Sequence, residues 1–294
     1  MGIVLGIDVG GSTTKIVGIR KNKGEQSPCT FESSCIGMLQ VRAADQVTSM
    51  YGAMGNFLSK HGLKPSDVSK VYLTGVGASF INEQVYDIKT EKVNEFTSIG
   101  RGALFLTGKD EALIISMGTG TALVKANETE IIHLGGSGVG GGTIIGLASR
   151  LLGKNDVDAI LALAEKGDLA NIDLSVGDIL NRERGTSSKW LARQDDNEVN
   201  SLPFDLTASN FGKIKSTASD SDIALGIINM VFETAGMLAV FALKNETIKD
   251  VIITGSLAEF PQAETVFSKF RNIMGINFII PENAVFATAI GATL

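Results

Sequence analysis

The chain has 294 residues, 44% of them hydrophobic and 20% charged, with a formal net charge of −6. That length fits two domains of roughly 100–190 residues each, and the composition excludes a disordered chain. With no basic stripe or Lys/Arg run, neither nucleic acid nor an anionic membrane is an expected partner.

Alternation and β-branched content predict strands near 3–9, 14–20 and 28–36. The opening Met1-Gly2-Ile3 runs into the first of these without a basic n-region, so no secretory leader is expected. The cysteines, Cys29 and Cys35, form no metal-ligand spacing and no disulfide framework, which suits a reducing, cytoplasmic setting. Val47, Met50, Tyr51, Met54, Phe57 and Leu58 recur at helical spacing within 44–61, with His61 at the C-terminal end. A strand follows near 70–75, and a helix from Asn94, its expected N-cap, to about Leu106. The pattern then restarts with strands near 111–116, 122–125 and 131–134. Helices are predicted near 143–152, 156–166, 173–181 and 219–244, strands near 250–254 and 276–280, and a last helix from about 284. The polar run 181–200 reads as an exposed loop. The apolar run 223–243 imitates a membrane span, but it carries Asn229 and Glu233 and has acids at its start and lysines beyond its end. That pattern fits a buried core helix.

The most informative segment is Ile7-Asp8-Val9-Gly10-Gly11-Ser12-Thr13-Thr14-Lys15, a strand–turn–strand hairpin with a small, hydroxyl-rich tip. Gly10 and Gly11 allow the backbone close to phosphate oxygens. Asp8 is placed to hold Mg2+ through water, and Lys15 to neutralise phosphate charge. About 108 residues later, Ile115-Ser116-Met117-Gly118-Thr119-Gly120-Thr121 repeats the arrangement. Two copies of one unit predict a duplicated α/β fold with an interdomain cleft, divided as 1–107 and 108–294. Gly135-Gly136-Ser137-Gly138-Val139-Gly140-Gly141-Gly142-Thr143-Ile144-Ile145 then runs into an apolar helix, a combination suited to phosphate through backbone N–H groups and a helix N-terminus. Ile252-Ile253-Thr254-Gly255-Ser256 is a buried strand ending in Gly-Ser. Glu95, at a predicted helix start, is the catalytic candidate, and His133 precedes the glycine loop.

Together with Asp205-Leu206-Thr207-Ala208-Ser209-Asn210-Phe211-Gly212 and Ala289-Ile290-Gly291-Ala292, these motifs resemble the type II pantothenate kinases over nearly the whole chain. The resemblance implies duplicated actin-like (ribonuclease H-like) ATPase domains, a homodimer, and ATP- and Mg2+-dependent phosphorylation of pantothenate, the first step to coenzyme A. It carries over Asp8, Val9, Gly10, Gly11, Ser12, Thr13, Thr14 and Lys15 as the ATP-phosphate motif and Glu95 as general base. Thr119, Gly141, Gly142, Thr143, Ile144, Ile145, Val157 and Ser256 fall at nucleotide contacts, Val157 standing where an aromatic is common. The family usually has a basic residue before the glycine loop to hold pantothenate; here it is His133, with less charge and no bidentate fork. Two relatives of the same superfamily are alternatives. A sugar kinase, such as one for N-acetylglucosamine, would use an aspartate base, and no aspartate near the cleft motifs suits that role. An ATPase activator of 2-hydroxyacyl-CoA dehydratases would need cluster-binding cysteines in its second lobe, and this chain has none after Cys35.

Overall fold

The computed structural model describes residues 2–21, 31–43, 45–81, 84–180 and 206–294. Cys29, Asp205, the 28–30 portion of one predicted strand and the predicted loop 181–200 lie outside the described residues. The described chain forms two compact units, one of 1–141, 237–259 and 276–294, the other of 142–236 and 260–275.

The first unit contains two five-stranded sheets of the same design. In the first sheet, β1 (Gly2–Val9), β2 (Thr13–Lys21) and β3 (Cys35–Arg42) are antiparallel, and β4 (Val68–Thr74) and β5 (Thr90–Lys92) add parallel strands in the order β3-β2-β1-β4-β5. Helix α1 (Phe31–Ser34) precedes β3, and α2 (Gln46–Lys60) packs Met50, Met54 and Phe57 on the sheet face that carries Leu5, Ile7 and Val9. Asp45 caps α2 by accepting from the Thr48 N–H at 2.7 Å, and His61 is its C-cap. Helix α3 (Glu95–Thr107) ends at Gly108, whose left-handed backbone turns the chain into the second sheet. There β6 (Glu111–Met117), β7 (Thr121–Asn127) and β8 (Ile131–Ser137) form the antiparallel part.

Helices α4 (Gly141–Leu152), α5 (Val157–Ala164) and α6 (Val176–Ile179) follow, with the short pair β9 (Leu174–Ser175) and β10 (Thr207–Ser209), and then α7 (Asp220–Ala242). Strand β11 (Asp250–Thr254), α8 (Pro261–Met274), β12 (Asn277–Ile279) and α9 (Ala287–Gly291) complete the described chain. The second sheet has the order β8-β7-β6-β11-β12, which matches the first strand for strand, so the α/β fold is duplicated.

Each sheet is covered by a helix from the opposite half of the sequence. Ile99 and Ala103 of α3 pack with Ile114, Val124 and Ile252 of the second sheet. Ala289 and Ile290 of α9 pack with Val4 and Val17 of the first. The two helices touch through glycine: a β-carbon on Gly102 would overlap the Ala287 carbonyl oxygen, and one on Gly291 the Ser98 carbonyl oxygen.

Three predicted elements need correction. The strand expected at 28–36 begins at Cys35, because Phe31–Ser34 is helical; β3 is a half-buried edge strand whose alternation is blurred by Gly37. The helix expected at 173–181 is only α6, since Ser175 and Asp178 form a capping box that starts a helix after β9. The last helix begins with a 3-10 turn, Ala284–Phe286.

In the second unit, Lys213 (2.6 Å) and the Ser175 hydroxyl (2.8 Å) and N–H (2.9 Å) hold the Asp178 carboxyl below the usual carboxylate range. Its stabilisation is present at neutral pH and is lost as pH falls below the unfolded aspartate value of about 3.9. Among the described residues, α7 alone is long and apolar enough to cross a membrane, and 56% of its most apolar stretch is buried. Its Asn229 is buried and donates to Asp173 at 3.0 Å, as in a core helix.

Candidate active site

The first hairpin tip is built by strand register. Asp8 and Lys15 are cross-strand partners at the ends of β1 and β2, both 6% exposed, with Lys15 Nζ 3.4 Å from Asp8 Oδ2. Burial strengthens their attraction, yet the separation is long for an ion pair, so the lysine retains donor capacity. The Gly10 N–H donates to the Thr13 carbonyl at 3.0 Å and closes the turn, which leaves Gly11 and Ser12 exposed at its apex. Thr13 is half-buried. Thr14 and Val9 are buried on the opposite face, toward α2. On the other side of β1, Thr74 of β4 is in register with Asp8. Gly75 follows at φ 86°, and a β-carbon there would lie 2.5 Å from Asp8 Oδ1 and 2.6 Å from the Val9 carbonyl oxygen. The carboxylate is thus walled in by backbone, and only glycine tolerates both the conformation and the approach.

The second tip meets the first. Ser12 Oγ and Thr119 Oγ1 are 2.9 Å apart. Behind Thr119, the tip packs on the glycine loop backbone to backbone: the Gly141 N–H donates to the Gly118 carbonyl at 2.9 Å, and Thr121 Oγ1 to the Val139 carbonyl at 2.8 Å. A β-carbon at Gly140 would lie 2.7 Å from the Thr119 carbonyl oxygen, and one at Gly136 would overlap the Thr121 carbonyl oxygen. Gly140 therefore serves loop-on-loop packing, and Gly136 the close pairing of β8 with β7. At Gly118 and Gly138, by contrast, a β-carbon would meet open space.

Glu95 is the first residue of α3, half-buried, with Asn94 accepting from the Thr97 N–H at 3.1 Å as N-cap. Its carboxyl is raised above the ordinary glutamate value, first by burial, then by the charge of Asp8, with Lys15 opposing. The enclosure around the helix start and the carboxylate of Asp8 together outweigh Lys15. The next residue, Phe96, stacks flat on His133, with centroids 3.7 Å apart and an interplanar angle of 8°. His133 is exposed on β8, an edge strand of the second sheet.

Asp8, Lys15, Glu95, Ser12, Thr119, Gly141 and His133 thus belong to one unit, as does Ser256, which follows Gly255 (φ 89°) at the end of β11. Gly142, Thr143, Ile144 and Ile145 form the first turn of α4, and Val157 opens α5 after the N-cap Asp156; these belong to the second unit. That unit also holds Leu206 to Gly212. Glu233 accepts from Thr207 Oγ1 (2.7 Å) and Asn210 Nδ2 (2.8 Å), and the fully buried Asp173 accepts from the Phe211 N–H (2.8 Å). Phe211 sits at φ 57°, a conformation that costs about 1–3 kcal/mol and persists where such contacts impose it. Replacing Asp173 with alanine leaves the Phe211 N–H and the Asn229 amide without this acceptor. It is expected to destabilise the second unit by about 2–4 kcal/mol, read as faster hydrogen exchange at 206–212 and a lower urea midpoint.

A family model described as Fumble matches residues 111–266, more than half of the chain. The chain belongs to the Fumble family. It resembles proteins named type II pantothenate kinase. One from Bacillus cereus (strain ATCC 14579) is 27% identical, covering 99% of this chain and 97% of its own, and one from Oceanobacillus iheyensis is 27% identical, covering 99% and 98%. Among solved structures, the activator of 2-hydroxyisocaproyl-CoA dehydratase from Clostridium difficile with bound ADPNP aligns with TM-score 0.65 at 15% identity, over 99% of this chain and 92% of that one. A ROK family protein from Streptococcus pneumoniae aligns at TM-score 0.54 and 10% identity, over 99% and 96%. These likenesses show the actin-like fold of this Fumble family member.

Sequence reasoning missed Thr74 and Gly75, which border Asp8, and the Phe96–His133 stack. Gly75 had a signal in its repetition, since Thr74-Gly75 and Thr254-Gly255 both follow a parallel strand. The stack had none, because its partners lie far apart in sequence.

Proposed function

We propose that the chain transfers the γ-phosphoryl group of ATP to the primary hydroxyl of pantothenate, yielding 4′-phosphopantothenate for coenzyme A synthesis. One observation carries this reading: a half-buried, up-shifted carboxyl, Glu95, lies within electrostatic reach of the Asp8–Lys15 pair at a glycine- and hydroxyl-rich hairpin tip. The names of the relatives support the acceptor, and the ADPNP bound by the dehydratase activator supports the nucleotide.

In this mechanism Glu95 accepts the hydroxyl proton as the oxygen attacks phosphorus in line; a raised carboxyl is better matched to that task than an ordinary one. Lys15 and the Ser12 and Thr119 hydroxyls donate to phosphoryl oxygens, with the exposed backbone of Gly11 alongside; the Gly10 N–H is taken up by the Thr13 carbonyl and shapes the turn. The residues present fit a hydrated cation: Asp8 is a buried carboxylate with a single lysine contact among the described residues, close to the exposed Gly11 and Ser12 of the turn apex. When bound, Mg2+ would neutralise phosphate charge, and Asp8 would hold it through water. We assign Thr13, Gly141, Gly142, Thr143, Ile144, Ile145, Val157 and Ser256 to the nucleotide and His133 to pantothenate, the latter braced on Phe96; Val9 and Thr14, wholly buried toward α2, serve only by holding the strands that carry the tip. Proposed with this are lobes 1–107 and 108–294, a homodimer and a cytoplasmic location.

An ATP-consumption screen over pantothenate, pantetheine, N-acetylglucosamine and no acceptor tests the assignment. Turnover is expected with pantothenate; equal turnover without acceptor would contradict it, and selective turnover with N-acetylglucosamine would replace the acceptor.

A further inference from the structure

Thr74 ends β4 and is 1% exposed, and its buried Oγ1 has no hydrogen-bond partner among the described residues. A buried hydroxyl left unpaired costs about 1–3 kcal/mol, so its retention needs a reason. Its position supplies one. Residues of β1 and β4 that face α2 include Ile7, Val9, Val71 and Leu73. Asp8 and Thr74 alternate with these, so both lie on the opposite face, with Val4 and Tyr72, where α9 packs. Thr74 is the register partner of Asp8 on one side, as Lys15 is on the other. The row across the sheet end is therefore Lys15, Asp8, Thr74. The neighbouring backbone beyond it is Val93, whose N–H donates to the Leu73 carbonyl at 2.8 Å, two residues before Glu95.

The hydroxyl thus sits between the carboxylate assigned to the cation and the segment that delivers the base. Gly75 pins the carboxylate from the same side, so Asp8 cannot swing over to satisfy the hydroxyl without disturbing that wall. The other described hydroxyls that are buried and unpaired on these strands differ in setting: Thr14 faces the α2 core, and Thr254 is in register with Ser116, not with a carboxylate.

Resting on the proposed kinase reading, we infer that Thr74 is a positioning residue: its hydroxyl accepts a hydrogen bond from a water molecule of the Asp8-held divalent cation and fixes that hydration shell toward Glu95. The test uses Thr74→Val, which keeps the shape and removes the hydroxyl, and Thr74→Ser, which keeps the hydroxyl. Each is measured for melting temperature and for the gain in ADPNP affinity that Mn2+ confers. Thr74→Val is expected to melt at or above the wild-type temperature, bind metal-free ADPNP as wild type does, and lose roughly ten- to a hundredfold of the Mn2+-dependent gain. Thr74→Ser should retain most of that gain. A full gain in Thr74→Val, or a clearly lower melting temperature showing that the hydroxyl holds the fold, would overturn the inference. If the wild type shows no Mn2+-dependent gain at all, the kinase reading fails with it; a gain in wild type that Thr74→Val keeps undiminished removes only the role of Thr74.

Discussion

Glu95→Gln is expected to lower kcat for pantothenate phosphorylation by about 10²–10⁴-fold, the usual worth of a positioned general base, while leaving Mg–ATP affinity within about twofold of wild type. Glutamine preserves the volume at the start of α3 and the Asn94 cap contact is untouched, so the fold should not move. The split between kcat and nucleotide affinity is the signature: loss of a structural residue would weaken both. The pH profile adds a second readout. Because burial and Asp8 raise the Glu95 carboxyl, the acidic limb of kcat/KM should lie above the ordinary glutamate value, and activity should fall as pH drops through it. The sign of each neighbour is also fixed. Lys15 favours the anion, so Lys15→Met should move the limb to higher pH; Asp8 disfavours it, so Asp8→Asn should move it lower. Near-normal turnover in Glu95→Gln, or a limb at the position of a free glutamate, would remove Glu95 from the role.

Gly102→Val should destabilise the first unit by about 3 kcal/mol or more, at the upper end of overpacking effects. The cause is local. Helices α3 and α9 approach at the mutual notches of Gly102 and Gly291, and the atoms a side chain would meet are backbone: the Ala287 carbonyl oxygen and carbon and the Gly291 nitrogen. Flexible side chains can turn aside, but helix backbone can only separate. Separation would strip α3 from Ile114 and Ile252 and α9 from Val4 and Val17. Urea unfolding followed by fluorescence or circular dichroism gives the number; a change below about 1 kcal/mol would show that the helices can part without cost. Glu95 lies two turns upstream on α3, so a partly folded Gly102→Val protein should also lose turnover through a displaced base.

How much of this was legible in the sequence depends on the range of the interactions. The β1–β2 hairpin was readable because Asp8, Gly10, Gly11 and Lys15 are neighbours whose geometry follows from local register. Its echo at Gly118 to Thr121 was readable by repetition, and so was the α/β duplication. The strand pairing that exchanges α3 and α9 between the halves was not, since the apolar stripe of α3 does not say which sheet it covers. The glycine loop was found, but its purpose was only half seen: Gly136 and Gly140 admit the second tip, which depends on contacts with Thr119 and Thr121. Thr74 was invisible because a threonine at a strand end is ordinary; only its buried, unpaired oxygen beside Asp8 sets it apart. The raised carboxyl of Glu95 likewise depends on Asp8, which lies far away in sequence.

Calorimetric titration of the full chain with ADPNP in the presence of Mg2+ addresses the core of the account most directly. Saturable binding of one nucleotide per chain, weakened when Lys15 is replaced with methionine, is the predicted result. Absence of any binding heat up to millimolar nucleotide would contradict the assignment of the Asp8–Lys15 tip to a triphosphate.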